Sequence, residues 1–170
     1  LWFKSNYKKY PRCYTEAGKP LEIASPFSEN VFEADSKAFV KLMSHIKDFD
    51  SKENTVIMIQ VENEIGMLES ARDHSKMADK LFKSPIPEEL KKYLKKNINT
   101  LHPWMKEKWQ KAGGKTEGTW EDVFGKDIFT DEIFMAWQYA AYVEKMIQKG
   151  REVYNLPMYV NAAMNSRNRK

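Results

Sequence analysis

Val56-Ile57-Met58-Ile59-Gln60-Val61-Glu62-Asn63-Glu64-Ile65-Gly66, or VIMIQVENEIG over residues 56–66, is the stretch from which the rest of the chain is read. Its first half is apolar except for Gln60 and rich in β-branched side chains, the composition of a strand covered on both faces by helices. Apolar character stops at Glu62, and Glu62, Asn63 and Glu64 crowd three hydrogen-bonding side chains together ahead of Gly66. A second short run, Leu156-Pro157-Met158-Tyr159-Val160-Asn161, again ends in an amide. In parallel α/β architectures ligands meet the carboxyl ends of strands, where the loops vary freely. The two runs therefore predict a pocket of amides and carboxylates, suited equally to a polyhydroxylated substrate or to a cation.

Working outward, Phe32, Phe39, Leu42, Met43, Ile46 and Phe49 recur at three- and four-residue steps, which predicts an amphipathic helix from about Ser28 to Asp48 with Ser28 as its cap. Before it, Leu1 to Phe3 reads as an apolar strand end and Lys4 to Pro26, with Pro11, Gly18, Pro20 and Pro26, as loop. The charged stretch from 68 to 126 is broken by Pro85, Pro87, Pro103, Gly113, Gly114 and Gly118. A structureless connection of that length is unexpected, so it reads as a helical insertion with one helix starting near Pro87, where Glu88 and Glu89 occupy the first turn. Thr130 is the expected cap of a further helix carrying Phe134, Trp137, Val143 and Met146 to about Gly150. Strand, helix, strand, helices, strand is the order of parallel βα units in one domain spanning residues 1–170. The start at Leu1 is expected to lie within a longer protein, and the basic Arg167 to Lys170 is read as a frayed or truncated end.

Composition narrows the function classes. With 170 residues, 42% of them hydrophobic, the chain is long enough for one sizeable core. The 28 basic residues are interspersed with 24 acidic ones, and even the densest set, Lys91, Lys92, Lys95 and Lys96, has the spacing of a solvated helix face, so no nucleic-acid partner is expected. Cys13 stands alone, which excludes an internal disulfide, and His45, His74 and His102 lack zinc-site spacing, so neither a metal nor a cofactor is expected. No apolar run is long enough to cross a membrane and no signal peptide is visible.

The segment VIMIQVENEIG resembles the fourth barrel strand of glycoside hydrolase family 35, whose hallmark is an Asn-Glu pair inside such a segment. The likeness extends to LWF at 1–3, SPFSE at 25–29, GTWEDVFG at 118–125, TDEIFMAW at 130–137 and LPMYVNA at 156–162, which are similar to a bacterial β-galactosidase-like branch of that family in clan A. The resemblance implies an α/β fold, a (β/α)8 TIM barrel of which this chain would cover the end of strand 3 through strand 5. It also implies hydrolysis of terminal β-galactosides or related β-linked sugars with retention of configuration, and a periplasmic or extracellular home. By the same resemblance Glu64 is the acid/base and Asn63 contacts the sugar 2-hydroxyl; Asn161 is read either as a substrate contact, which its family position slightly favours, or as a side chain that satisfies backbone at the strand end, and Trp2 is read as a substrate-binding aromatic that stacks on a sugar face.

The chemistry accounts for these residue types. An acid/base carboxyl must give a proton to the leaving oxygen and later take one from water, so its pKa has to be raised. A neutral amide beside it binds a hydroxyl without lowering that pKa as a cation would. In an extended strand Glu62 and Glu64 would point the same way, which cannot serve opposite faces of a sugar, so Glu62 is expected to bind substrate or support the site. Among the other tryptophans, Trp137 has the periodicity of the core, and Trp104 and Trp120 are the expected sugar platforms.

Departures from the family pattern are specific. Phe3 runs straight into Lys4-Ser5-Asn6-Tyr7, where the family has a glycine and a substrate loop, and the strand that carries the family's nucleophile is not among these residues. The 170 residues alone are therefore expected to be inactive on glycosides. Alternative readings are another clan A glycosidase (β-xylosidase, β-mannanase or β-glucosidase), a non-catalytic carbohydrate-binding module, and metal binding by Glu62, Glu64 and Asn161. The hydrolase reading stands on the Glu64 carboxyl being presented into a sugar-sized cleft toward Asn161; a carboxyl in solvent, or pointing away from that asparagine, overturns it.

Overall fold

A computed structural model of the chain describes residues 5–162. In chain order its elements are β1 (Arg12–Tyr14), β2 (Pro20–Ala24), α1 (Glu29–Asp50), β3 (Ile59–Gln60), α2 (Lys76–Phe82), α3 (Glu88–Lys96), α4 (Pro103–Lys111), α5 (Trp120–Phe124), α6 (Ile128–Val153) and β4 (Met158–Tyr159). The two strongest helical periodicities become the two longest helices, α1 and α6. They pack through Phe39 and Met43 of one against Tyr142 and Met146 of the other, with Phe32 set edge-on to Tyr142 at 5.5 Å. Gly150 permits this approach, because a Cβ there would lie 2.4 Å from the Phe39 ring.

Helix starts follow their hydrogen bonds. Ser28 is the N-cap of α1, but its carbonyl, not its hydroxyl, accepts from Val31 and Phe32. The cap of α6 is Asp127, three residues before the expected Thr130: its carboxylate accepts from the amides of Phe129 and Thr130, satisfying donors that a helix start leaves open. Thr130 is instead buried inside the helix, its hydroxyl donating to the Gly125 carbonyl. A reciprocal capping box between Thr119 and Asp122 starts the short α5.

The barrel expectation is overturned. Among the described residues there are six helices and two separate sheets of two strands each, β1 with β2 and β3 with β4, which is an α+β arrangement and not a (β/α)8 TIM barrel spanning strands 3 to 5. The physical reason lies in the apolar run at 56–61. Regular pairing there is confined to Ile59 and Gln60, and Ile57 and Met58 are 72% and 51% exposed. β-Branched composition favours a strand only where neighbours cover it, and a barrel needs every strand paired on both sides.

A second correction concerns Lys4 to Pro26, expected as loop. Within it β1 and β2 form an antiparallel hairpin in which Arg12 pairs with Ala24 and Tyr14 with Pro20. Its turn is closed by Thr15 N–H to the Lys19 carbonyl, with Gly18 at φ +76°. Cys13 and Leu21 reach from the hairpin into the main core. Buried Asp73 secures it from the other side, accepting from Tyr14 N at 2.8 Å and from both the amide and hydroxyl of Ser75, the α2 cap.

The stretch 68–126 carries α2 to α5, which close over α6. Phe134 sits in the middle, with the rings of Phe82 and Trp120 each edge-on at 5.2 Å, and Phe124, Leu94 and Trp109 join the same cluster. Trp137 packs against it, as its periodicity predicts. Trp120 is 1% exposed, which removes it as a sugar platform: it is a core residue. Arg72, nearly buried, lies over the Phe82 ring and bridges Asp79 at 2.7 Å and Asp131 at 2.9 Å, tying α2 to α6. No helix among the described residues is long and apolar enough to cross a membrane.

Candidate functional site

The parallel pairing of β3 with β4 sets Ile59 beside Met158 and Gln60 beside Tyr159. Amides of Ile59, Val61 and Ile65 donate to the carbonyls of Pro157, Tyr159 and Asn161, so the segment carrying Glu62 to Glu64 runs alongside the end of the second strand. Upstream, the Asp50 carboxylate accepts from Thr55 and from Val56 N–H at 2.8 Å, which fixes the turn that delivers the chain into β3 and holds that carboxyl below its ordinary range.

Three amide side chains interlock at this end. Gln60 Nε2 donates to Asn63 Oδ1 at 2.9 Å and to Asn161 Oδ1 at 3.2 Å, and Asn161 Nδ2 reaches Asn63 Oδ1 at 3.5 Å. Asn161 Oδ1 also accepts the backbone N–H of Glu64 at 2.7 Å. The side-chain oxygens of Asn63 and Asn161 are thereby occupied inside the cluster, while the Asn63 amide nitrogen donates to no group among the described residues. Asn63 is exposed, so that donor is open to solvent.

The bond from Asn161 holds Glu64 in an unusual conformation. Its φ is +50°, the left-handed region that costs a residue with a Cβ on the order of 1 kcal/mol. The Glu64 side chain is exposed, and its carboxylate has no hydrogen-bond or ion-pair partner among the described residues. Asn161 thus meets the backbone of Glu64 and not its carboxyl, and the exposed side chain meets the condition that overturns the hydrolase reading for these residues taken alone.

Glu62 takes a different direction. Regular strand ends at Gln60, and Glu62 turns, half-buried, toward Asp35 of α1, whose carboxylate accepts from the Tyr142 hydroxyl of α6 at 2.6 Å. Burial, then the charge of Asp35 and a hydrogen bond with it, push the Glu62 carboxyl up to about 7. The Tyr142 hydroxyl is pushed up as well, by burial and then by Asp35. A protonated Glu62 can donate to the Asp35 carboxylate, whereas two ionised carboxylates that close repel each other. Glu62 therefore holds the Asn63-Glu64 segment against α1 and α6, and the extended strand in which Glu62 and Glu64 would point the same way is not formed.

Neither Asp35 nor Tyr142 was among the residues predicted for the site. A signal for Asp35 existed: it sits four residues from both Val31 and Phe39, so a carboxyl interrupts the buried stripe of α1. Trp2 lies outside the described residues.

Two cavities lie away from this cluster. One of about 700 Å³ is bounded by Thr15, Glu16, Glu69, His74, Ile128 and Asp131. In it burial, followed by Arg72, pulls the His74 imidazole below its ordinary value, and burial raises the Asp131 carboxyl. His74 is therefore a half-buried residue lining a cavity. The other, of about 320 Å³, is framed by Trp104 and Phe129. No group of three or more His, Cys, Asp or Glu side chains among the described residues is placed to hold a metal ion. No family model matches the chain, and no curated protein matches it.

Proposed function

We propose that the chain supplies the acid/base half of a retaining glycosidase that acts on terminal β-galactosides or related β-linked sugars. The observation that carries this reading is Glu64 itself, a residue with a Cβ held at φ +50° by Asn161, next to an exposed amide donor on Asn63, at the carboxyl end of a parallel strand pair. Strained backbone of this kind persists where the surroundings over-determine it, and it concentrates at functional sites. The resemblance of residues 56–66 to the acid/base strand of glycoside hydrolase family 35 supplies the reaction class.

In that reaction Glu64 protonates the glycosidic oxygen as the bond to the anomeric carbon breaks. A second carboxylate forms the glycosyl-enzyme bond from the opposite face, and Glu64 then takes a proton from the water that cleaves it. The Asn63 amide donates to the 2-hydroxyl of the sugar. The two carboxyls must stand about 5 to 5.5 Å apart across the substrate. Glu62 is committed to Asp35, so we assign the nucleophile to a residue outside these 170. Substrate and the nucleophile-bearing part of the protein would also cover Glu64, giving it the dry surroundings that an acid needs.

A second reading, a carbohydrate-binding module without catalysis, is favoured by one observation, the solvent exposure of the unpaired Glu64 carboxylate. Kinetics separate the two. A longer protein containing this chain should hydrolyse 4-nitrophenyl β-galactoside with retention, read by NMR of the first anomer released, and Glu64→Gln should lower kcat by about 10²- to 10⁴-fold. Binding without turnover in that protein would leave the module; unchanged kcat in the variant would refute the acid/base role.

A further inference from the structure

The second cavity is independent of Glu64. It opens at the corner where α4 meets the start of α6, and it is built around two large aromatic side chains that the core does not use. Trp104 and Phe129 are 43% and 44% exposed and belong to neither buried cluster, yet their rings meet edge to face at 5.5 Å. Trp109, later on α4, shows what the same residue type does when it is structural: it is buried and its indole N–H donates to the Lys115 carbonyl. The Trp104 indole N–H has no such partner among the described residues.

Beside the rings lies an ion pair held from both sides, with Lys108 Nζ over the Phe129 ring, 5.9 Å from its centroid. Lys108 Nζ meets both carboxylate oxygens of Asp127 at 2.7 and 2.8 Å, and the stem of Lys108 is nearly buried. Asp127 is pinned in addition by the two helix-start amides it caps. A second pair, Lys111 with Glu107, stands at the rim. Acidic and basic side chains are thus matched one to one around the cavity, so it offers neither an anion nor a cation a net attraction. What it does offer is an aromatic surface, a spare ammonium N–H and free carboxylate lone pairs at fixed spacing.

We propose that this corner is a second carbohydrate site, taking one pyranose unit of an oligosaccharide separately from the Glu64 region. A pyranose carries an apolar face of C–H groups and a rim of adjacent hydroxyls. The exposed Trp104 ring covers the face, and the Phe129 ring, set at 72° to it, closes one side; Lys108 donates to one hydroxyl and Asp127 accepts from its neighbour. The cavity, about 320 Å³, lies at the low end of small-ligand pockets, roughly 300 to 1,000 Å³, which suits a single ring with the rest of the chain trailing into solvent. Rigid aromatics together with a preformed donor–acceptor pair keep the ordering cost of binding low. This site stands whether or not Glu64 is catalytic.

Indole N–H signals in a ¹⁵N-labelled sample of the chain report on the site directly, with lactose as the probe. Lactose is expected to move the Trp104 signal saturably, with a dissociation constant on the order of millimolar, and to leave the Trp109 and Trp120 signals in place. Trp104→Ala should weaken binding by about tenfold or more, read from the Phe129 ring signals, while Trp104→Phe, which keeps an aromatic face, should retain most of it. Should the Trp104 signal stay fixed, or move only together with the buried indoles, the proposal fails. A response to p-cresol but not to lactose overturns it equally, by showing a pocket that reads aromatic surface alone. Since every readout is at this corner, a failure here leaves the kinetic test of Glu64 untouched.

Discussion

Replacing Glu62 by glutamine should remove the pH dependence that the Asp35 cluster imposes on stability. In the folded chain the Glu62 carboxyl keeps its proton up to about 7, against an ordinary value of 4.5. The folded state therefore binds more protons than the unfolded state within that window. The stabilisation is complete below 4.5 and is lost as the pH rises through 7. Fully converted, the displacement is worth about 3 kcal/mol as a ceiling. Glu62 is only half-buried, so solvent screening reduces the expected effect to about 1 kcal/mol. The glutamine variant keeps an N–H to donate to Asp35 and has nothing to titrate. Urea unfolding followed by tryptophan fluorescence, repeated from about pH 5 to about pH 8, should show the wild-type chain losing about 1 kcal/mol relative to Glu62→Gln. Asp35→Asn removes the facing charge and should also flatten the wild-type slope. Parallel stability curves for wild type and Glu62→Gln across this window would refute the reasoning from a protonated Glu62.

Three further substitutions test other parts of the structure. Glu64→Gly should raise stability by about 1 kcal/mol, because glycine adopts φ +50° without strain; thermal unfolding against Glu64→Ala, which keeps the Cβ, checks it, and equal midpoints would contradict it. Gly150→Ala would gain about 1 kcal/mol in an unobstructed helix. Here the new methyl meets Phe39 at 2.4 Å and the end of Met158 at 3.0 Å, so a net loss of about 1 to 3 kcal/mol by urea unfolding is expected, and a gain would show that α1 and α6 are less closely packed. Arg72→Met keeps a side chain over Phe82 but leaves Asp79 and Asp131 without their cation, at a cost of about 3 kcal/mol. That loss should grow with rising pH, since burial already raises the Asp131 carboxyl and Arg72 is the first force opposing it; a variant as stable as wild type at all pH values would refute the buried-network account.

Periodicity placed α1 and α6 within a few residues of their observed ends, because an apolar stripe repeating every three to four residues commits a segment locally. The same reading brought Asn63, Glu64 and Asn161 to neighbouring strand ends, where the structure joins them by hydrogen bonds. It placed Trp120 at a sugar face, however, and the ring lies in the core against Phe134, because α5 folds back over α6. The β1–β2 hairpin was read as loop, since three- and five-residue strands with alternating but sparse apolar positions fall below what a pattern can register.

What the amino-acid order determined by itself was local: which stretches coil into amphipathic helices, and where amides and carboxylates crowd beside apolar runs. Whether an apolar run becomes a buried strand was decided only by what lies beside it, and Ile57 and Met58 stand exposed because pairing with β4 begins at Ile59. The partner of Glu62 likewise came from α1, far off in the chain, because carboxyls interact through space and the dielectric around them, neither of which is written in residue spacing.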